Sequence, residues 1–214
     1  MEMFSAIRNS TTGLAIFAVV TAGMIALTQV ATSERIEHNV REAEAKALYE
    51  ILPRDSIDND LLENTTEFVA PTLLGHERPA KAYRALRDGT VAAVILPVVA
   101  PDGYSGNIQL IVGINADSTL AGVRVLAHKE TPGLGDKVEL KKSDWLLGFD
   151  GKTMHGDTDS SWAVKKDGGQ FDQFTGATIT PRAVVNAVGR AIRYFRSNRA
   201  ALLGLGEEVA EHGN

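Results

Sequence analysis

The sequence predicts an α+β protein: one N-terminal transmembrane helix, a helical stalk, and an antiparallel β-rich domain closed by a C-terminal helix. Three observations carry this prediction. No charged residue falls between Arg8 and Glu34. The strand-like runs from Lys81 to His128 follow one another through short turns and do not alternate with helices, which points to a meander and not a doubly wound sheet. A strong helical apolar stripe returns only after Pro181.

Taken in order, "TTGLAIFAVVTAGMIALTQVAT" is long enough at helical rise to cross a bilayer core. A cleaved leader would have a shorter apolar region and a small-x-small site, for which Gln29-Val30-Ala31 is a poor match, so an uncleaved anchor is expected. Arg8 precedes the span and Arg35, Arg41 and Lys46 follow it, a count that does not decide orientation for a long exported domain. In "ERIEHNVREAEAKALYEIL", Ile36, Val40, Ala43, Ala47 and Ile51 share one helix face, and Pro53 ends the run. Residues 54–78 read as turn-rich, with a short helix near Asp60.

From Lys81 the pattern becomes β. Asp88-Gly89 between two apolar runs is a hairpin signal, and "NIQLIVGI" puts Ile108, Leu110, Val112 and Ile114 on one face. "NADSTL" turns the chain into "AGVRVLAH". "KKSDWLLGF" predicts a short helix capped by Ser143 or Asp144, and strands are expected again at Trp162–Val164 and near Phe171. In "PRAVVNAVGRAIRYFRSN", Val184, Val188, Ala191, Ile192 and Phe195 form the stripe, with arginines over the remainder. Thr180 suits its N-cap and Pro181 its first helical position. The expected divisions are residues 1–33, 34–53, 54–200 and a frayed tail over 201–214.

Composition narrows the function. A net charge of −5 with no basic block gives nucleic-acid binding no electrostatic support. With no cysteine, the chain has no disulfide, thiolate metal site, cysteine nucleophile or lipoprotein acylation, so any redox chemistry requires a borrowed cofactor.

Three stretches stand out. "FTGATITP" places Thr178 just ahead of a helix start, where free N–H groups and the macrodipole favour a phosphate, and Gly176 and Ala177 leave its hydroxyl accessible. The plainer reading is a turn with a capping threonine. "HKETPGLGDK" is an irregular loop able to approach a planar ligand closely; as an ordinary surface loop it would leave His128 and Glu130 solvated. It lacks the third glycine and βαβ context of a dinucleotide fingerprint, and two alternating ligands rarely hold a metal, so none is expected. "DGYSGN" has Asn107 where a nucleophile elbow has glycine, which argues against a hydrolase and leaves Tyr104 and Ser105 as turn residues near a ligand mouth or near nothing. Trp145 and Trp162 are expected in the core or at an interface.

The pairing of "HKETPGLGDKV" with "FDQFTGATITPRAVVNAV" resembles the FMN-binding domain of the G subunit of Rnf-type electron transport complexes. The C subunit of the sodium-pumping NADH:quinone oxidoreductase carries a related domain, and the chain seen here is short for it. The resemblance covers nearly the whole chain and makes 54–200 an FMN-binding domain. Its motif, Asp-x-x-(Ser/Thr)-Gly-Ala-Thr, is met by Asp172, Thr175, Gly176, Ala177 and Thr178. It implies FMN joined through its phosphate to Thr178, with Thr131, Pro132, Gly133, Leu134 and Gly135 beside the ring. It further implies a flavin transferase using FAD during maturation and other membrane subunits as partners. The soluble domain would sit on the periplasmic side of a bacterial inner membrane. Two alternatives stand beside this: another extracytosolic flavin carrier, such as the related one of the quinone oxidoreductase, and a membrane-anchored scaffold without flavin.

Overall fold

The computed structural model describes residues 2–205. Most of the tail expected to fray, 206–214, lies outside the described residues; Leu202 and Leu203 just before it are buried. The chain divides after Glu44 into units of 1–44 and 45–214. Helix α1, Glu2–Ile51, contributes to both. Its N-terminal unit exposes Leu14, Phe17, Leu27 and Val30, and by length and composition α1 can cross a membrane. Thr21, Thr28 and Thr32 return their hydroxyls to carbonyls four residues back, which satisfies those donors without water.

The second unit is a five-stranded antiparallel meander in the order β1-β2-β3-β4-β5. The strands are β1 (Thr65–Ala70), β2 (His76–Arg87), β3 (Thr90–Gly103), β4 (Gly106–Asn115) and β5 (Leu120–Ala127). The Asp88-Gly89 signal is a tight hairpin turn: both residues have positive φ, and Arg87 pairs with Thr90. Two expectations fail here. Residues 65–70 and 76–78, read as turn-rich, belong to β1 and β2, joined by the one-turn helix α2 (Pro71–Leu74). Edge strand β1 buries only Phe68 and Ala70, so it lacks a full alternating pattern. The strands expected near Trp162 and Phe171 reduce to a single Val164–Phe171 bridge, because the aromatic packing described below holds this segment without a ladder.

One sheet face carries Ile108, Leu110, Val112 and Ile114 against α3 (Ile179–Ser197), whose Val184, Val188, Ala191, Ile192 and Phe195 are fully buried. Each large side chain in that stripe contributes about 1.5–3 kcal/mol on burial, so a charge at Val188 would break the domain. The arginines of α3 do more than cover it. Arg190, Arg193 and Arg196 donate to the carbonyls of Leu73, Asp157 and Met154, tying surrounding loops to the helix.

The opposite sheet face is closed by the end of α1. Leu48, Ile51 and Leu52 pack with Ile57, Leu61, Tyr83, Ile95 and Ile111. Ile51 sits over Gly113 and Gly122, which are register partners across β4 and β5. A Cβ on Gly113 would lie 2.5 Å from the Ile51 Cγ2, so this seat requires glycine. Tyr49 fixes the same helix end by donating to Asp60 (2.9 Å).

Candidate functional site

Between β5 and α3 the chain has little regular structure, and aromatic packing holds it instead. Phe149 stacks on Phe171 with centroids 4.5 Å apart, and Trp162 meets Phe171 edge-on at 5.0 Å. Trp162 donates to the Val185 carbonyl across Gly189 of α3, where a Cβ would come within 2.8 Å of the indole. Trp145 packs edge-on against Phe174 and donates to the Asp172 carbonyl (2.8 Å). Ser143 caps the 3₁₀ turn Asp144–Phe149 through the Trp145 N–H, as expected from sequence. This aromatic layer anchors the turn Phe174–Ala177, closed by the Ala177 N–H on the Phe174 carbonyl (3.1 Å), with Gly176 at φ +80°.

That turn delivers Thr178 as the N-cap of α3, where its carbonyl accepts from the Arg182 N–H (3.3 Å). The expected cap, Thr180, is inside the helix, and Pro181 follows it in the first turn. No backbone donor is lost there, because first-turn N–H groups have no intrahelical acceptor. Thr180 instead points inward and donates to the Glu130 carboxylate. Thr178 is half-buried, and its hydroxyl has no hydrogen-bond partner among the described residues.

Thr178 lies in a cleft of about 320 Å³ lined by Tyr104, Thr131, Leu134, Gly135, Gly176 and Ala177, with Glu130, Ile179 and Thr180 completing it. Two stretches about forty residues apart in sequence therefore meet at one place. Of the site residues expected from sequence, Pro132, Gly133 and Thr175 are exposed and do not line it. Asp172 is turned away, its carboxylate on Lys165 Nζ (2.6 Å). Asp167 takes Arg182 in a two-pronged pair at 2.7 and 2.9 Å, and those hydrogen bonds hold its carboxyl below the usual range.

His128 and Glu130 are not solvated. Glu130 is only 5% exposed; one oxygen accepts from the Ser105 N–H (2.9 Å), the other from Thr180. The Glu130 N–H donates to His128 Nδ1, whose Nε2 faces Glu139. No local pattern announces this role, since the partners of Glu130 lie 25 and 50 residues away. Among the described residues no cluster of three or more histidines or acids is placed to hold a metal.

A larger cleft of about 480 Å³ lies by the end of α1 and β5. Most of its polar groups are engaged within the fold: Arg124 bonds the Val123 and Glu50 carbonyls, its Nε lacks a hydrogen bond but stands 3.4 Å from the Glu50 carboxylate, and His128 bonds Glu139. The smaller cleft offers what a phosphorylated aromatic ligand needs. It has an unengaged hydroxyl at Thr178, the free N–H groups opening α3, and the partly exposed apolar groups Tyr104, Leu134 and Ile179.

Two family models match the chain: an FMN-binding domain over residues 103–193 and an RnfG N-terminal region over residues 1–51. The chain is 55% identical over 208 residues to the G subunit of the ion-translocating oxidoreductase complex of Pseudomonas aeruginosa strain UCBPP-PA14, covering 97% of this chain and 96% of that one. It is 48% identical to the corresponding protein of Pseudoalteromonas atlantica, over 91% of each chain. It is also 48% identical to that of Vibrio cholerae strain ATCC 39541, over 94% of this chain and 95% of the other.

Proposed function

The chain belongs to the family of ion-translocating oxidoreductase complex G subunits, and from that premise we propose that it is a membrane-anchored electron carrier holding FMN through a phosphoester to Thr178. The observation that carries the reading is the meeting of both loops at a cleft where the Thr178 hydroxyl is unengaged. A flavin transferase makes the bond. The Thr178 Oγ–phosphorus bond forms as the pyrophosphate bond of FAD breaks, and AMP leaves with the hydroxyl proton. The N–H groups of Ile179 and Thr180 would hold the phosphate, and Tyr104, Leu134 and Ile179 would give the ring apolar surface. Bound FMN supplies one- and two-electron transfer that no side chain of this cysteine-free chain supplies. Thr178 reacts once, in maturation, and the link lies at the phosphate, remote from the redox ring.

The partners in this reading are the other membrane subunits of the complex, with the globular unit on the periplasmic side of an inner membrane. Glu63 is exposed, and Glu63→Cys would carry the sole thiol of an otherwise cysteine-free chain. That variant should label with an impermeant maleimide in intact spheroplasts. Labelling only after lysis would reverse the orientation. The decisive experiment is intact mass with peptide mapping after co-expression with a flavin transferase. The expected increment is FMN less one water, on Thr178. An unmodified mass with active transferase present would leave "FTGATITP" as a helix start in a scaffold protein.

A further inference from the structure

We propose that the Glu130 carboxylate sets the reduction potential of the flavin, acting as a fixed buried negative charge in the cleft wall; the proposal rests on the Thr178 reading above. Glu130 lines the same cleft as Thr178 and is almost fully buried. Its two oxygens are held by neutral donors only, the Ser105 N–H at 2.9 Å and the Thr180 hydroxyl, and it has no ion pair among the described residues. In the low-dielectric wall of a cleft, such a charge is little screened.

The surroundings keep the carboxylate in place. A Cβ on Gly135 would lie 2.8 Å from both Glu130 Oε2 and Thr180 Oγ1, and one on Gly103 would lie 3.0 Å from Glu130 Oε1. Two glycines thus let backbone close directly onto the carboxylate. His128 fixes the Glu130 backbone by accepting its N–H at 3.0 Å. The result is a carboxylate with one orientation, tied at once to the β3–β4 turn, the 131–135 loop and the first turn of α3.

The consequence is electrostatic. Each electron that enters the cleft from an external reductant adds one negative charge there until a proton follows from water. Glu130 opposes that charge and so lowers the potential at which the flavin is reduced. Its two hydrogen bonds temper the effect by drawing negative charge toward Ser105 and Thr180.

The test uses the full chain in detergent, loaded by a flavin transferase, with loading verified by intact mass and the midpoint potential read by dithionite titration with spectral detection. Glu130→Gln removes the charge and keeps the shape, so the midpoint moves to more positive values. Thr180→Val keeps the charge and strips away one donor, so the midpoint moves to more negative values. These opposite signs separate charge from mere loosening of the cleft, which would shift both variants the same way. A loaded Glu130→Gln protein with the wild-type midpoint, or both variants shifted in one direction, overturns the proposal. Should Glu130→Gln fail to fold, Thr180→Val decides alone: a negative shift supports the proposal, and no shift or a positive one overturns it. A wild-type chain that takes no flavin would instead sink the Thr178 reading.

Discussion

Two segments line the same cleft and are secured in different ways. Glu130–Gly135 is fixed from within: Glu130 and Gly135 are buried, and the Leu134 and Gly135 N–H groups both return to the Thr131 carbonyl at 3.1 Å. Thr175–Thr178 is fixed from below, by Trp145 against Phe174 and by one turn hydrogen bond, and its own side chains remain largely accessible. The difference separates tasks. A residue that must be reached by another macromolecule cannot be buried, so under the proposed attachment the accessible segment would carry the reacting hydroxyl and the buried one would hold the geometry. Substitutions on the first wall should therefore register as stability, and those on the second as chemistry.

Thr178→Val is the largest contrast. It should abolish covalent flavin, read by mass and in-gel fluorescence, while changing unfolding free energy by less than about 0.5 kcal/mol, because the hydroxyl makes no bond in the fold. Flavin surviving denaturation of that variant would move the attachment elsewhere. On the other wall, Gly135→Ala inserts a methyl 2.8 Å from two oxygens and should destabilise the domain by about 1–3 kcal/mol of overpacking in urea unfolding. An unchanged urea midpoint would show that the Glu130–Thr180 contact can open freely. Thr180→Val belongs with the first wall despite its sequence position, and should lose about 1–3 kcal/mol by leaving a buried carboxylate short of a donor.

Smaller effects sharpen the comparison. At Gly176, φ is +80° and a Cβ would clear Leu134 at 3.6 Å, so Gly176→Ala should cost only the backbone term, about 1 kcal/mol. A loss as large as that of Gly135→Ala would erase the distinction between the walls. The smallest effect is pH-dependent. Hydrogen bonding to Arg182 depresses the Asp167 carboxyl in the folded state, so its contribution is present above the unfolded-state value and is lost as pH falls through the depressed one. Asp167→Asn should flatten that acid limb slightly in a series of melts, and an unaltered limb would show solvent has already cancelled the pair.

Much of this is legible in local patterns. Asp88-Gly89, the alternation through Ile108–Ile114 and the stripe from Val184 to Phe195 are periodic features whose partners are regular elements, so sequence spacing reports them directly. Edge strand β1 is not legible, because only Phe68 and Ala70 need be apolar there. The role of Thr180 escapes for a related reason. Several threonines near a helix start satisfy the same capping pattern, and the choice among them is made by a carboxylate 50 residues distant. Tyr104, remote from both loops in sequence and 68% exposed, gives no periodic signal for its place at the cleft.

The seat of Ile51 over Gly113 and Gly122 bears on how the domain can be separated from its anchor. The last residues of the long N-terminal helix act as a plug in the sheet, filling a socket walled by Tyr83, Ile95 and Ile111. A fragment that begins after Leu52 would therefore present an open apolar socket to solvent, and would be prone to self-association for that reason alone. A fragment that begins before Ala45 retains its own plug. Proteolytic cleavage within Leu48–Leu52 would not release an intact domain from its tether, because a cut there also uncorks it.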